Sequence, residues 1–456
     1  MSAGRRPWPP AAVAGLAVRA ALRSRLAPVS AFLTVAVAFA CAFLLSGDGS
    51  PAGSLRAALS WSVGFAVLVL SLCAVFLGSD FAGHLRRGRL VQVCAAPLRR
   101  EALLAAWWAG TVLALGLLVA VAFVAVALAA GLRYALGEAD ARAALAQVLV
   151  ARGRARAPAP DPERLRALAE AELARREAAG RLPEGLSREE AFEAIERVFR
   201  TRRRSVPRRA RISWRFAGVR PQAGARWLGL RFRYQAQAVD RSWLGERPTV
   251  QGGFLFAAPG SERRFSVPGR WAAGEVHEVR VPVEVLAGGD RLEVTYVNLE
   301  RRPVVVRFPE AGPEVLFPAG GFVANVLRAA LALWGRLLFL AAVGLAAAAV
   351  FDRRLAVGVA LWALLVASGS EFLRESLRPG VFGTVDPLLR PLLASVVALL
   401  PDLARDDLAS LLAAGERVEP LGVVRSLGFD GLVRGGVVLA AGAVAFARRE
   451  LGATRA

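Results

Sequence analysis

The chain contains no lysine among its 456 residues. A phosphate-gripping P-loop needs lysine on the β- and γ-phosphates within G-x-x-x-x-G-K-[ST], so this chain cannot carry one. A Schiff-base lysine is excluded for the same reason. If ATP drives this protein, another chain hydrolyses it. Histidine occurs twice, as His84 and His277, too far apart in sequence to outline a metal-ligand cluster. The three cysteines are Cys41, Cys73 and Cys94, and none falls in the long polar middle, which excludes a disulfide there. Isoleucine (Ile195, Ile212) and asparagine (Asn298, Asn325) occur twice each, the bias a GC-rich coding sequence produces. G-x-S-x-G, H-E-x-x-H and a paired Ser/His constellation in the polar middle are also absent, which argues against a membrane hydrolase.

What is present is apolar and basic. Hydrophobic residues make up 55% of the chain, and the formal charge is +22, carried by 59 arginines against 37 acids. The apolar residues come in blocks, and a spanning helix needs about 20 of them in a row. Six blocks qualify or nearly do: residues 29–45, 59–78, 102–132, 322–351, 355–372 and 432–446. The stretch 386–400 carries Arg390 and two prolines and reads as interfacial. Residues 11–26, with Arg19 and Arg23 on one face, read as an entry helix in the membrane interface. Within 322–351, residues 322–334 read as a peripheral helix, which would let Arg336 reach the outer interface. Small residues at Gly436, Ala440 and Gly442 suit close packing of the last helix.

Orientation follows from the basic loops. With the N-terminus inside, residues 1–28, 79–101, 352–354 and 447–456 are cytoplasmic and hold fifteen arginines against four acids. Outside the long middle segment the remainder is balanced, at ten of each. Both termini are therefore expected inside, and the segment 133–321 outside.

The expected fold class is a helical membrane protein of about six transmembrane helices with an inserted extracytoplasmic α+β domain, helices followed by a β-sandwich. Residues 1–132 hold the first three helices and 322–456 the last three. Residues 133–205 read as helical: Asp161-Pro162-Glu163 starts one helix and Ser187-Arg188-Glu189-Glu190 is a capping box. Residues 206–321 read as a β-sandwich of short alternating strands near 211–216, 228–234, 276–285, 291–297 and 304–308. Ala287-Gly288-Gly289-Asp290 is expected to turn a hairpin between two of them. Arginines cluster at the junction, among them Arg202, Arg203, Arg204, Arg208 and Arg209. Contact with an anionic headgroup or acidic glycan is one reading. Pairing with Glu189, Glu190, Glu193 and Glu196 is the other. Nucleic acid does not suit an exported segment. Trp214, Trp227, Trp243 and Trp271 fit either a core or a sugar-stacking surface.

One loop carries a resemblance. Gly88-Arg89-Leu90-Val91-Gln92-Val93-Cys94-Ala95-Ala96-Pro97-Leu98-Arg99-Arg100 runs into Glu101 and then Trp107-Trp108-Ala109-Gly110. This resembles the loop of ABC transporter permeases of the type-2 exporter class, G-T-L-x-x-L-L-A-x-P-V-S-R followed by G-K-W-x-G. Gly88, Leu90, Pro97, Arg100, Trp108 and Gly110 match in register. The family's Ser falls on Arg99, its Gly on Ala106 and its Lys on Trp107. Near the C-terminus, Phe446-Ala447-Arg448-Arg449-Glu450-Leu451 is similar to the family's closing F-x-R-R-E-L. The resemblance implies that residues 79–101, including Arg99, Arg100 and Glu101, form a coupling loop to a separate ATPase chain, with Arg86, Arg87 and Arg89 facing its acids. It also implies a second permease subunit, and ATP and magnesium held by the partner rather than by this chain. Trp107, Trp108, Arg448 and Arg449 would anchor the helices at the lipid interface. The rival expectation is a membrane-anchored envelope protein whose exported β-sandwich binds glycan or a protein partner.

Overall fold

The computed structural model describes residues 10–87, 99–158, 161–180, 187–238, 248–376, 391, 394–395, 397–398, 400–401 and 407–448. The chain divides into two compact units, residues 1–151 with 321–456, and residues 152–320.

The first unit is helical. Its elements are α1 (Pro10–Arg23), α2 (Leu26–Leu44), α3 (Pro51–Arg86), α4 (Arg100–Leu136) and α5 (Ala139–Ala146). After the second unit come α8 (Phe322–Val350), α9 (Arg353–Ser368), α10 (Ser370–Ser376), α11 (Leu408–Ala413) and α12 (Pro420–Ala447). Five of these, α2, α3, α4, α8 and α12, are long and apolar enough to cross a membrane. Their outward faces are greasy: α4 exposes Leu113, Leu117, Val124 and Leu128, and Phe32 on α2 is 71% exposed. In water such a surface would be penalised, whereas lipid tails match it.

α1 is not a loose interfacial helix. Its Val13, Ala17 and Ala21 are buried, and a Cβ on Gly110 of α4 would stand only 2.7 Å from Ala17 Cβ. α3 starts on a proline behind the Ser50 cap, whose Oγ accepts from Gly53 N at 2.9 Å. It crosses α8 where a Cβ on Gly78 would stand 2.7 Å from the Ala341 carbonyl oxygen. In α12, Gly442 makes the close approach expected of it, against Ala346. Gly436 and Ala440 do not: nothing lies within 4 Å of a Cβ on Gly436, and Ala440 is exposed. α4 and α8 are clamped reciprocally. The Trp108 indole donates to Leu338 O at 3.1 Å and the Trp334 indole to Val112 O at 3.0 Å.

Three expectations about these helices need correction. The block at 355–372 becomes two helices, α9 and α10, each too short to span, because the chain breaks at Gly369. The last helix starts at Pro420 rather than near residue 432, since its Arg425–Arg434 stretch is a π-helix. A hydropathy reading stops at the charges there, but the fold pairs Arg434 with Asp430 at 2.6 Å. Finally, α8 is one continuous helix, and Arg336 is 8% exposed instead of reaching outward.

Among the described residues, the second unit, residues 152–320, contains two α-helices and most of the strands. α6 (Pro162–Ala178) and α7 (Arg188–Arg202) pack through Ala169, Leu173, Ala191 and Ile195. Both have the expected caps: Asp161 accepts from Glu163 N, and Ser187 and Glu190 complete a capping box. The strands are β1 (Val150–Arg156), β2 (Ser205–Val206), β3 (Arg211–Phe216), β4 (Trp227–Phe232), β5 (Gln235–Ala238) and β6 (Thr249–Ala257). They continue with β7 (Arg264–Ala272), β8 (His277–Pro282), β9 (Leu292–Asn298), β10 (Val304–Arg307) and β11 (Glu314–Gly321). They form three sheets, ordered β1-β11-β4-β8, β2-β10-β5 and β3-β9-β6-β7. One cluster of buried side chains draws on all three, with Phe232, Phe254, Tyr296 and Phe308 in successive ring contact.

Two local readings differ from the structure here. Residues 133–205 are not helical throughout, because β1 interrupts them: Ala151, Gly153 and Ala155 are buried while Arg152, Arg154 and Arg156 alternate outward. The hairpin expected at residues 287–290 does not form. β8 pairs with β4, and β9 with β3 and β6. A short 3-10 turn (Val283–Leu286) followed by left-handed Ala287 and Gly288 carries the chain from one sheet to another. Two-residue alternation marks a strand but not its partner. In β7, Pro268 occupies an edge strand, where a missing N–H is tolerated.

Candidate functional site

Within the helical unit, the residues flanking the resemblance loop assemble at one end. Gly88, Arg89, Leu90 and Pro97 lie outside the described residues, as does Arg449. Their neighbours are placed. α3 ends with Arg86 and Arg87 exposed, and α4 begins behind exposed Arg99, with Glu101 exposed in its first turn. Arg100 donates to the last carbonyls of α12, Phe446 O at 3.3 Å and Ala447 O at 3.2 Å. A cation there offsets the negative end of the helix dipole and satisfies orphan carbonyls. The two sequence motifs, 346 residues apart, thus meet at a single side chain.

An aromatic knot lies beneath this contact. Phe81 is fully buried, with its ring 5.5 Å from Trp107 and 5.7 Å from Phe446. His84 packs on Trp107 at 5.1 Å. Trp107 is 4% exposed and Trp108 is half-buried with its N–H bonded inside, so neither is the interface anchor expected. Alanine-rich neighbours leave room for two indoles in the core. Arg448 is exposed, beside that knot.

Ion pairs extend the end cluster to the turn between α8 and α9. Asp80 meets His84 Nε2 and Arg353 Nε, each at 3.3 Å. Asp352 meets Arg86 at 3.3 Å and caps α9 by accepting from Leu355 N. That backbone hydrogen bond, then the Arg86 charge, hold the Asp352 carboxyl below its usual range. These pairs keep some contact with solvent and contribute little energy singly. Together they tie α3 to α9, as Arg100 ties α4 to α12.

A second charged node is internal. Asp430 is 9% exposed and Arg336 is 8% exposed. Asp430 pairs with Arg434, and the charges of Arg425 and Arg336 also act on it. Arg434 further donates to Ala398 O and stacks over Phe429. The approach is tight, since a Cβ on Gly335 of α8 would stand 2.5 Å from Ser426. Buried charges on so apolar a helix, at a π-helical stretch, are features that concentrate at functional sites in membrane proteins.

In the second unit the junction arginines divide. Arg200 pairs with Glu196, Arg204 with Glu310 and Arg220 with Asp290. Glu189 and Glu193 are exposed and form no ion pair with the cluster among the described residues. Arg202, Arg203, Arg208 and Arg209 are exposed. Trp214 and Trp271 pack inward on Phe308 and Phe232, Trp227 is 53% exposed, and Trp243 lies outside the described residues. Glu314, missed in the sequence, is gripped by Arg156 at 2.8 Å, Arg231 at 3.0 Å and Arg154 at 3.8 Å. Alternating arginines in residues 150–156 were the available signal. Among the described residues no group of three or more His, Cys, Asp or Glu side chains comes together to hold a metal.

No protein-family model, curated protein or solved structure matches the chain. Its class therefore rests on its own architecture: a helical unit with, among the described residues, five helices long and apolar enough to cross a membrane, and a separate antiparallel β unit.

Proposed function

We propose that the chain is the transmembrane permease subunit of an ATP-driven ABC exporter. Two such subunits pair and work with separate ATPase chains that hold ATP and magnesium. The observation that carries this reading is the Arg100 contact with Phe446 and Ala447. It joins the two segments whose sequences resemble that family, at the end of the helical unit where α3 stops and α4 begins. In this reading that end is cytoplasmic, both termini lie inside, and residues 133–321 are extracytoplasmic with their sheets arranged as a sandwich. α9 and α10, linked through Gly369, supply the sixth crossing. Closure of the ATPases pushes on residues 88–98. The push passes through α3 and α4, and through the Asp80–Arg353 and Arg86–Asp352 pairs to α9.

Mild-detergent extraction of the full chain should recover an ATPase subunit. R86Q/R87Q should lower that recovery, and R100Q should keep it while uncoupling ATP hydrolysis from conformational change, read as protease sensitivity with and without ATP. Recovery of no ATPase, or R100Q behaving as wild type, would overturn the reading. The rival reading, a membrane-anchored binding or sensing protein of the envelope, predicts a stable chain with no ATPase attached.

A further inference from the structure

Asn298 ends β9 and is completely buried. Its Nδ2 donates to Val206 O at 3.0 Å and Val304 O at 2.9 Å, and its Oδ1 accepts from Glu300 N at 3.1 Å. Its backbone accepts from Arg209 N and donates to Ala210 O. One residue thereby fastens the turn 207–210, between β2 and β3, to the loop 299–303, between β9 and β10.

Both tips carry arginine. Arg208 and Arg209 form the turn and Arg301 sits on the loop, with Arg211 next in line at the start of β3 and Arg202 and Arg203 ending α7. All six are exposed, and none has an ion-pair partner among the described residues. Arg209 holds φ at 60°, the left-handed region that a side chain enters at a cost of roughly 1 kcal/mol. The bonds Arg209 N to Asn298 O and Ala210 N to Pro207 O keep it there. The acid nearest these arginines in sequence is turned away from them. Glu300 is 7% exposed and accepts from Gln251 N and Arg301 N. Burial pushes its carboxyl up, but those backbone bonds and the Arg270 charge hold it below its usual range, so it stays ionised facing inward.

We propose that these two loops are a docking site for an anionic polymer with closely spaced phosphate groups. Guanidinium forks match phosphate oxygens in pairs. Each exposed contact is weak in water, so affinity requires several at once on one chain. Bases would find no aromatic platform on these two loops, since residues 207–210 and 299–303 carry none and the Trp214 ring is packed on Phe308. A bilayer would find only Leu299 exposed as an apolar anchor on these loops. The site belongs to residues 152–320 alone and stands whether or not the helical unit couples to an ATPase.

The test uses the full chain in zwitterionic nanodiscs and fluorescein-labelled long-chain polyphosphate, read by anisotropy. Wild type should bind, with affinity falling steeply as salt rises. R208Q/R209G/R211Q should weaken binding about tenfold or more and flatten the log–log salt slope by about two, near 0.7–0.9 per lost contact. R220Q, whose arginine already belongs to Asp290, should stay within twofold. R209G alone relieves the left-handed strain, so it folds and isolates one charge. The proposal fails if polyphosphate does not bind or if the triple variant binds as wild type. It also fails if orthophosphate competes equally per phosphate, or if single-stranded DNA or anionic vesicles bind more tightly than the polymer.

Discussion

Asn298→Ala is the sharpest single test of how the β unit holds together. The substitution removes a side chain that is 0% exposed and makes three hydrogen bonds of 2.9–3.1 Å to backbone groups. Alanine leaves Val206 O, Val304 O and Glu300 N short of a partner. A buried group left unsatisfied costs about 1–3 kcal/mol. Taken at the low end of that range for each group, the sum is about 3 kcal/mol. For a unit of this size that lowers the melting temperature by roughly 6–12 °C. Asn298→Asp is the comparator: it keeps an acceptor for Glu300 N but turns oxygen toward two carbonyls, and should do no better than alanine. Pulse proteolysis of the full chain in urea, with cleavages mapped to residues 152–320, reads the change. A loss below about 1 kcal/mol for both variants would refute the account of Asn298 as the fastener of two loops.

Two further predictions concern charge. Burial pushes the Glu314 carboxyl up, but the bond from Arg156 and the charges of Arg154 and Arg231 hold it below its usual range. A depressed folded pKa stabilises above the unfolded value of about 4.3, and the contribution is lost as pH falls through the folded value. Glu314→Gln should therefore cost about 1–3 kcal/mol at neutral pH, with the gap to wild type closing under acid, measured by the same proteolysis across pH; a pH-independent gap would contradict it. In the helical unit, Asp430→Asn removes the carboxylate charge that Arg434 pairs with and should lower stability in detergent by about 3 kcal/mol, while Asp430→Leu with Arg434→Leu should recover much of the loss. Equal thermal inactivation of Asp430→Asn and wild type would remove the pair from the account.

Much of this protein is legible from composition and period. Runs of alanine, leucine and valine longer than a bilayer is thick place α3, α4 and α8, because an apolar run of that length has few other stable environments. Local chemistry also reads directly: Asp161-Pro162 and Ser187 with Glu190 start α6 and α7, since a cap depends on residues only three apart. Two-residue alternation locates β3 and β9. It misses β1, because alternating alanine, glycine and arginine carries little hydrophobic contrast, and it places a hairpin where the chain changes sheets.

Long-range partnership was decided by the tertiary structure. The absence of lysine rules out a P-loop from the sequence alone, without any fold. The scarcity of asparagine reads in the sequence as codon bias. In the fold both asparagines are buried clamps, Asn298 joining two arginine-bearing loops and Asn325 binding Glu416 O and Val418 N. An amide can donate and accept at once, and its worth depends on which backbone groups are left unpaired around it. Those groups come from segments up to 93 residues away, the carbonyls that hold Arg100 from 346 and 347 residues away, and the π-helical turn sets Asp430 where the charge of Arg336 acts on it. Burial and periodicity are properties of neighbouring residues, so the sequence states them; the satisfaction of a buried polar group is a property of what arrives opposite it.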